Sequence, residues 1–163
     1  MRRVLIFGVA LVMLLTACGS SDDSGSNDAL QKQADTYAID QIEVKWHQAS
    51  SKKDVDLMMS LWAPDATLTV GPKTYAGKAK IREFFSKEAA PFQPGNDWVS
   101  ETPAYKIRTT VDGDKGTIYF ECHYVDVKTG KVVAAVGADQ DVARIDGDWL
   151  ITNAVGATVE LSP

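Results

Sequence analysis

The sequence predicts an α+β fold in which three N-terminal helices pack in the concavity of a strongly curved, mostly antiparallel sheet. Three observations lead to this prediction. Before Phe85, most apolar residues recur at intervals of three and four, as on one face of a helix. From Trp98 onward they alternate with polar residues, as in strands. The alternating segments are separated by short turns that contain glycine, and strands joined by such short links are antiparallel.

Length and charge limit the possible functions. The chain has 163 residues, which predicts one domain. Arg2 and Arg3 are the only charged residues among the first 17, so the chain that follows them carries 15 basic and 22 acidic residues, a net charge of −7. An acidic domain is repelled by nucleic acid and by anionic membrane surfaces. We therefore expect no nucleic-acid partner.

The first 17 residues have the pattern of a signal peptide. Arg2 and Arg3 precede an apolar run over residues 4–15 that is too short to span a bilayer. The run ends in Leu-Thr-Ala-Cys at residues 15–18, which resembles the lipobox of bacterial lipoproteins. That resemblance implies lipidation of Cys18 and a domain held outside the cytoplasm by acyl chains on a bacterial membrane. The alternative is an ordinary secretory signal whose cleavage site happens to include a cysteine.

Residues 18–27 follow as the lipidated cysteine and a flexible tether. Positions 19–27 carry no apolar side chain, so they cannot order themselves against a core. The folded domain is expected over residues 28–163. If Cys18 is lipidated, Cys122 is the one remaining thiol, and no disulfide can form within the chain.

Three helices are expected in the first half of the domain. The first covers residues 28–51. The second begins after Asp54, whose carboxylate is a good N-cap, and ends before Pro64. A strand at 67–70 and a Gly-Pro turn follow, and Ile81, Phe84 and Phe85 form the apolar face of the third helix. A loop over 89–97, with two prolines and a glycine, is expected to form the rim of a cavity.

Four long strands are expected over residues 98–111, 117–127, 132–145 and 149–160. Tight turns set the register of each hairpin. A turn at Thr129-Gly130 places Phe120 opposite Asp139, and a three-residue turn at 146–148 places Asp141 opposite Asn153. A turn at Gly113-Asp114 places Ile107 opposite Phe120 and Tyr105 opposite Cys122. On this register Asp139, Asp141 and Asn153 share the apolar, helix-facing side of the sheet with Phe120 and Tyr124. A bulge would invert part of this assignment.

The stretch over residues 53–85 resembles SnoaL-like domains of the nuclear-transport-factor-2-like superfamily, which also contains ketosteroid isomerases and polyketide cyclases. The matching positions are Asp54, Asp56, Leu61, Trp62, Asp65, Ala66, Gly77, Ile81, Phe84 and Phe85. The resemblance implies a cone-like, cystatin-like α+β roll with a pocket at its open end. The residues expected around that pocket are Trp46, Trp62, Phe84, Phe120, Tyr124, Asp139, Asp141 and Asn153. Trp46 can instead be an ordinary core side chain.

The resemblance also suggests two catalytic groups, Asp141 and Asn153. By its spacing to residues 143–145, Asp141 is similar to the protonated aspartate of ketosteroid isomerases, which donates a hydrogen bond to the developing oxyanion. Asn153 stands where SnoaL-like domains often carry a histidine. Two positions depart from the isomerase pattern, because Trp46 replaces its tyrosine and Val70 replaces its base. The alternative for Asp139 and Asp141 is a structural pair at the edge or end of the sheet.

The remaining reactive side chains are few. For His47 and His123 a packing or solvated role is favoured over catalysis, and Cys122 is expected to be a small core residue. No metal-ligand spacing occurs, so we expect no metal and no cofactor.

We expect the domain to bind a small, largely apolar molecule without turnover. One alternative is a lyase, cyclase or isomerase that acts on a polycyclic or polyketide-like compound through Asp141. Another is an interaction module in which the outer sheet face binds an envelope protein or forms a homodimer.

Overall fold

The computed structural model describes residues 23–100 and 106–160, and it confirms the predicted fold class. Three helices lie against a seven-stranded sheet with the strand order β2-β1-β7-β6-β5-β3, and β4 pairs with the remaining part of β5. The helices are α1 (Asp23–Lys52), α2 (Val55–Ser60) and α3 (Lys78–Lys87), and a 3₁₀ turn covers Ala90–Phe92. The strands are β1 (Trp62–Val70), β2 (Lys73–Ala76), β3 (Trp98–Ser100), β4 (Ile107–Asp112), β5 (Lys115–Asp126), β6 (Lys131–Ile145) and β7 (Asp148–Thr158).

The first helix is longer than the sequence suggested. It begins at Asp23, so residues 23–27, which were expected to belong to the tether, are helical. Residues 25–34 of this helix are exposed, and contacts with the core begin at Asp35. Residues 18–22 of the expected tether lie outside the described residues. Within the described ranges, no helix combines the length and the apolar character that crossing a bilayer requires.

The connection from α1 to β1 confirms one prediction and corrects another. Asp54 caps α2, and its Oδ1 atom accepts a hydrogen bond from the Leu57 backbone N–H at 2.8 Å. Trp62 was expected on this helix, but α2 ends at Ser60 and Trp62 opens β1, where it is fully buried. Pro64 lies within the strand. The pairing of β1 with β7 is interrupted between Trp62 and Thr67, so the proline occupies an irregular part of the ladder.

The core fills the space between the helices and one face of the sheet. All sheet pairs are antiparallel except β1 with β7, which are parallel. The core side chains include Ile39, Trp46, Met58, Trp62, Ile81, Phe85, Ile118, Phe120, Val142 and Ile151. The face of the sheet that contacts these helices is called the inner face below, and the opposite one the outer face.

The predicted register between β5 and β6 is wrong by one residue. Phe120 lies opposite Ala138 and not opposite Asp139. The turn holds four residues, because the Asp126 carboxylate accepts hydrogen bonds from the backbone N–H groups of Lys128 and Thr129 and Asp126 pairs with Lys131. A bulge at residues 132–134 then adds one unpaired residue to β6. Such a shift moves every side chain beyond it to the other face.

The predicted pair of Asp141 with Asn153 is confirmed, although the turn differs. Asp146 and Gly147 both have positive φ, which gives a two-residue turn in which Ile145 pairs with Asp148. A second bulge beside Asp141 compensates for the shorter turn. The pair of Ile107 with Phe120 is also confirmed. The expected pair of Tyr105 with Cys122 lies outside the described residues.

Candidate functional site

A cavity of about 770 Å³ opens between the inner face of the sheet, α3 and the 3₁₀ turn. Its lining comes from five strands of the sheet, β1, β3, β5, β6 and β7, and from the segment that follows α3. The side chains that matter below are Trp46, Leu68, Val70, Phe84, Phe85, Glu88, Phe92, Trp98, Tyr124, Ala134, Val136, Ala138 and Thr158. Most of these are apolar, and the small residues on β6 leave the space open.

Aromatic rings form the wall between the cavity and the core. The ring of Trp46 packs edge-on against Phe85 and Phe120, with centroids 5.5 Å and 5.6 Å apart, and lies 5.9 Å from Trp62. Trp46 therefore contacts the core on one side and the cavity on the other. Rings packed at these distances add to the stability that burial alone supplies. The wall is consequently a fixed surface against which a ligand can pack.

The rim of the cavity is tied to the helices. Lys53 adopts a positive φ of 56° after α1, and its Nζ atom donates to the carbonyl oxygens of Pro91, at 3.1 Å, and of Asn96. On the other side, Glu88 accepts hydrogen bonds from Lys73 Nζ and the Tyr75 hydroxyl, each at 2.9 Å. These hydrogen bonds lower the pKa of Glu88, and the bond from Lys73 has the largest effect. Glu88 is therefore a carboxylate at neutral pH. The rim expected from the sequence is therefore present and anchored at both ends.

Only some of the predicted site residues surround this cavity. Trp46, Phe84 and Tyr124 line it. Trp62 and Phe120 are core residues behind Trp46 and take no part in the lining. Cys18 lies outside the described residues.

The predicted placement of Asp139, Asp141 and Asn153 in the pocket is wrong. The register shift puts all three on the outer face, where both carboxylates are exposed. Asp141 Oδ2 accepts a hydrogen bond from Asn153 Nδ2 at 3.1 Å, and Asn153 Oδ1 accepts one from Thr67 Oγ1 at 2.7 Å. Both aspartates are thus exposed, as the structural alternative allowed, but β6 is a central strand and Asp141 pairs with Asn153 and not with Asp139.

Sequence reasoning missed three groups that the structure brings to the cavity. Phe92 lies within the irregular loop, Trp98 follows it, and Glu88 follows α3. The two prolines of that loop were the only available signal. They predicted a loop at the rim of the cavity, but they did not indicate which of its side chains point inward. Glu88 carried no signal of its own, since a charged residue at a helix end is usually solvated.

A chain of buried polar groups runs behind the cavity wall. His47 is fully buried, with Nδ1 3.0 Å from Glu43 Oε1 and Nε2 3.0 Å from Cys122 Sγ. Glu43 and His47 are four residues apart on α1, so they share one helix face. Burial raises the pKa of the Cys122 thiol, an effect that outweighs the opposing hydrogen bonds from Ser100 and Tyr124. The thiol is therefore protonated at neutral pH. The favoured packing role of His47 agrees with this burial.

The chain of polar groups reaches the cavity at Tyr124. This residue follows Cys122 by two positions and lies on the same face of β5. Burial raises the pKa of Tyr124, and the nearby Ser50 and Trp46 side chains oppose that rise only in part. The Ser50 Oγ and Trp46 Nε1 atoms are themselves buried without a hydrogen-bond partner among the described residues. Tyr124 is therefore a neutral hydroxyl in a polar corner of an otherwise apolar cavity.

Two further polar groups are buried away from this corner. Gln140 occupies the inner face next to Asp141, and neither atom of its side-chain amide has a hydrogen-bond partner among the described residues. On the outer face, Glu121 is buried and accepts a hydrogen bond from the Tyr119 hydroxyl at 2.7 Å. Burial and then this bond raise the pKa of Tyr119 to about 12. In the described parts of the chain, no three His, Cys, Asp or Glu side chains converge on a possible metal position.

Comparison with known proteins supports the same fold. The model of a family described as SnoaL-like domain matches residues 31–155. The comparison with curated proteins finds no match.

Solved structures match over most of the chain. An NTF2-like protein with a cystatin-like fold from Novosphingobium aromaticivorans has a TM-score of 0.73 at 17% identity and covers 88% of this chain and 94% of its own. A hexachlorocyclohexane dehydrochlorinase, LinA-type3, from Novosphingobium barchaimii has a TM-score of 0.67 at 21% identity and covers 83% and 93%. A putative dehydratase from the NTF2-like family from Streptomyces avermitilis has a TM-score of 0.62 at 14% identity and covers 79% and 99%. At these identities the likeness establishes the cystatin-like fold that the sequence predicts.

Proposed function

The chain belongs to the SnoaL-like domain family, and on that premise we propose that it binds a small, largely apolar molecule in its cavity without turnover. The observation that carries this proposal is the cavity itself. Its volume of about 770 Å³ suits a small organic ligand, and its walls are mainly aromatic and aliphatic. We further propose that a lipid on Cys18 holds this binding domain outside the cytoplasm.

The ionisable groups around the cavity support binding over acid or base catalysis. A general acid or base works best with a pKa near the operating pH. Glu88 has a lowered pKa and stands at the rim, bonded to Lys73 and Tyr75, while Tyr124 has a raised pKa. The enzymatic alternative relied on Asp141, whose carboxylate lies on the outer face and so cannot contact a molecule in the cavity.

Two related solved structures bear the names of a dehydrochlorinase and a putative dehydratase, and those names describe those proteins. Both chemistries act on small molecules, which agrees with a cavity of this size. The fold hosts several functions, so the proposal depends on the residues of this cavity.

The neutral, apolar fluorophore N-phenyl-1-naphthylamine provides a direct test. We expect saturable binding to the purified protein, seen as enhanced probe fluorescence. Val136→Trp fills the cavity from β6 and should weaken binding by about tenfold or more, because the indole takes the place of the ligand. The matched control is Val133→Trp, on the same strand but 43% exposed and outside the cavity.

Loss of binding in Val136→Trp with near-normal binding in Val133→Trp would support the proposal. Absence of saturable binding to the unmodified protein, or equal losses in both variants, would overturn it. Native mass spectrometry of the protein purified from its host gives an independent readout, since a retained ligand appears as a mass increment that Val136→Trp abolishes.

A further inference from the structure

The polar corner of the cavity has a specific composition. Trp46 and Tyr124 both line the cavity, one from α1 and the other from β5. Ser50 lies one helical turn after Trp46 on the same face of α1. Both side chains lie close enough to Tyr124 to lower its pKa, against the rise that burial causes. Three polar side chains from two elements therefore meet at one place in the wall.

Two of these groups lack partners. Ser50 is 1% exposed and Trp46 is 8% exposed, and neither Ser50 Oγ nor Trp46 Nε1 has a hydrogen-bond partner among the described residues. Buried polar atoms in folded proteins are almost always hydrogen-bonded, because an unmade bond costs the full desolvation of the group. Tyr124 lies next to both groups and also lines the cavity. A small shift of the Tyr124 hydroxyl allows a hydrogen bond to Ser50 or Trp46. The hydroxyl keeps a lone pair or its proton for a hydrogen bond with a ligand.

The rest of the lining offers few competing sites for a polar ligand group. Phe84, Phe92, Ala134 and Val136 present hydrocarbon only. Glu88 stands at the rim with 40% of its side chain exposed, and Lys73 and Tyr75 already occupy its Oε2 atom. A ligand enclosed by the walls therefore meets the polar corner as its main hydrogen-bonding surface.

Polar groups continue behind the corner. Cys122, His47 and Glu43 follow one another at 3.0 Å steps from the strand that carries Tyr124 to the face of α1. Groups arranged in this way hold one another in place, and they bring polarity to the back of Tyr124 in a core that is otherwise apolar. The hydroxyl is thus supported by neighbours that do not touch the cavity.

From this arrangement we infer that the Tyr124 hydroxyl forms a hydrogen bond with one oxygen of the ligand, and that Trp46 and Ser50 position that hydroxyl. The chemical class of ligand is an apolar molecule that carries a hydroxyl or carbonyl group at one end. This inference rests on the proposed function, because it assigns the polar contact within the same cavity.

A pair of probes of equal shape tests the inference. 2-Naphthol and 2-methylnaphthalene differ by a hydroxyl in place of a methyl group, and each is measured by displacement of N-phenyl-1-naphthylamine. The quantity of interest is the affinity of the naphthol divided by that of the hydrocarbon. In Tyr124→Phe this ratio should fall by about three- to tenfold, which is the range for one neutral hydrogen bond. Trp46→Phe and Ser50→Ala should lower it by less, since both act through Tyr124.

Phe84→Leu is the matched control, because it changes an aromatic residue of the lining that carries no polar atom and whose ring packs against Tyr75 and Phe85 and not against Tyr124. It should alter the affinities of both probes to the same degree and leave the ratio unchanged. Thermal unfolding of each variant checks that the fold is retained, and Ser50→Ala serves as the second variant if Tyr124→Phe does not fold.

The outcomes separate the two proposals. A ratio that is unchanged in Tyr124→Phe and in Ser50→Ala, with both probes still bound, overturns the hydrogen bond and leaves apolar binding intact. If neither probe nor N-phenyl-1-naphthylamine binds the unmodified protein, the proposed function itself fails and this inference fails with it.

Discussion

The Nε2 atom of His47 lies 3.0 Å from the Sγ atom of Cys122, inside the closed part of the core. A histidine beside a cysteine can activate the thiol, but here both residues are buried and the pKa of the thiol is raised by its burial. The pair is therefore a protected contact between α1 and β5.

Cys122 should be unreactive while the protein is folded. A thiol reagent such as 5,5′-dithiobis(2-nitrobenzoic acid) needs a thiolate and access, and the fold withholds both. We expect no measurable reaction at pH 8 in buffer and complete reaction in denaturant. If Cys18 is lipidated, one thiol reacts per chain. Rapid reaction of the folded protein at the rate of a free thiol would show that this part of the core opens.

Asp35 connects α1 to the sheet through Arg144. The Arg144 Nη2 atom donates to Asp35 Oδ1 at 2.5 Å, and Trp149 Nε1 donates to the same oxygen at 3.4 Å. The bond to Arg144 is the largest cause of the lowered pKa of Asp35. Because the folded state favours the carboxylate, this contribution to stability is fully present above the unfolded pKa, near 3.8, and is lost as the pH falls through the folded pKa.

Asp35→Asn should therefore lower the melting temperature at pH 7. As the pH falls below 5, the melting temperature of this variant should decrease less than that of the unmodified protein. The matched control is Asp114→Asn, since Asp114 also accepts a bond from Arg144, at 3.0 Å, but its side chain is 78% exposed. A surface ion pair of that kind contributes little, so the control should melt near the unmodified protein. Equal losses in the two variants would contradict a specific role of Asp35.

Gln140 should be a source of instability. It is 2% exposed and neither amide atom has a hydrogen-bond partner among the described residues, so the folded state bears the desolvation cost of the group. Gln140→Met keeps a similar shape without the amide and should raise the free energy of unfolding by about 1–3 kcal/mol in urea denaturation. Asp141→Asn, one residue along on the outer face, should change it by less than about 0.5 kcal/mol. A loss of stability in Gln140→Met would mean that the amide has a partner in solution.

Lipidation of Cys18 is a prediction from residues 15–18 that the described residues do not include. Cys18→Ala should abolish incorporation of a fatty-acid analogue and leave the precursor uncleaved in the bacterial host. Cys122→Ala is the matched control, because it removes the other thiol and should leave labelling intact. Labelling that persists in Cys18→Ala would contradict the lipid anchor.

The sequence was sufficient to predict the fold. It was not sufficient to predict which side chains of β6 and β7 point to the inner face of the sheet. The helix cap at Asp54 and the hairpin around Gly113 were predictable, because local residue types specify both. The register of β6 was not, since residues 132–136 are an unbroken apolar run in which either face could point inward. The bulge within that run then moved Asp139 and Asp141 to the outer face.

The sequence predicted an apolar cavity but only some of the residues that line it. Side chains fixed by helical spacing, such as Trp46 and Phe84, line it as expected. Those that depend on strand register or on an irregular loop, such as Asp141 and Trp98, required the structure. The contact of His47 with Cys122 joins α1 to β5. It could not be predicted, because a single sequence does not show where along the sheet the helix packs.

The parallel pairing of β1 with β7 has a kinetic consequence. Thr67 and Asn153, which are 86 residues apart, become neighbours only after the intervening chain closes. Contacts so distant in sequence carry a large entropic cost and tend to form late in folding. Leu68 on β1 and Thr158 on β7 both line the cavity, so the binding surface is completed near the end of the folding reaction. A bound molecule therefore acts mainly by slowing the escape from the native state, and the rate at which the chain first reaches that state stays almost the same.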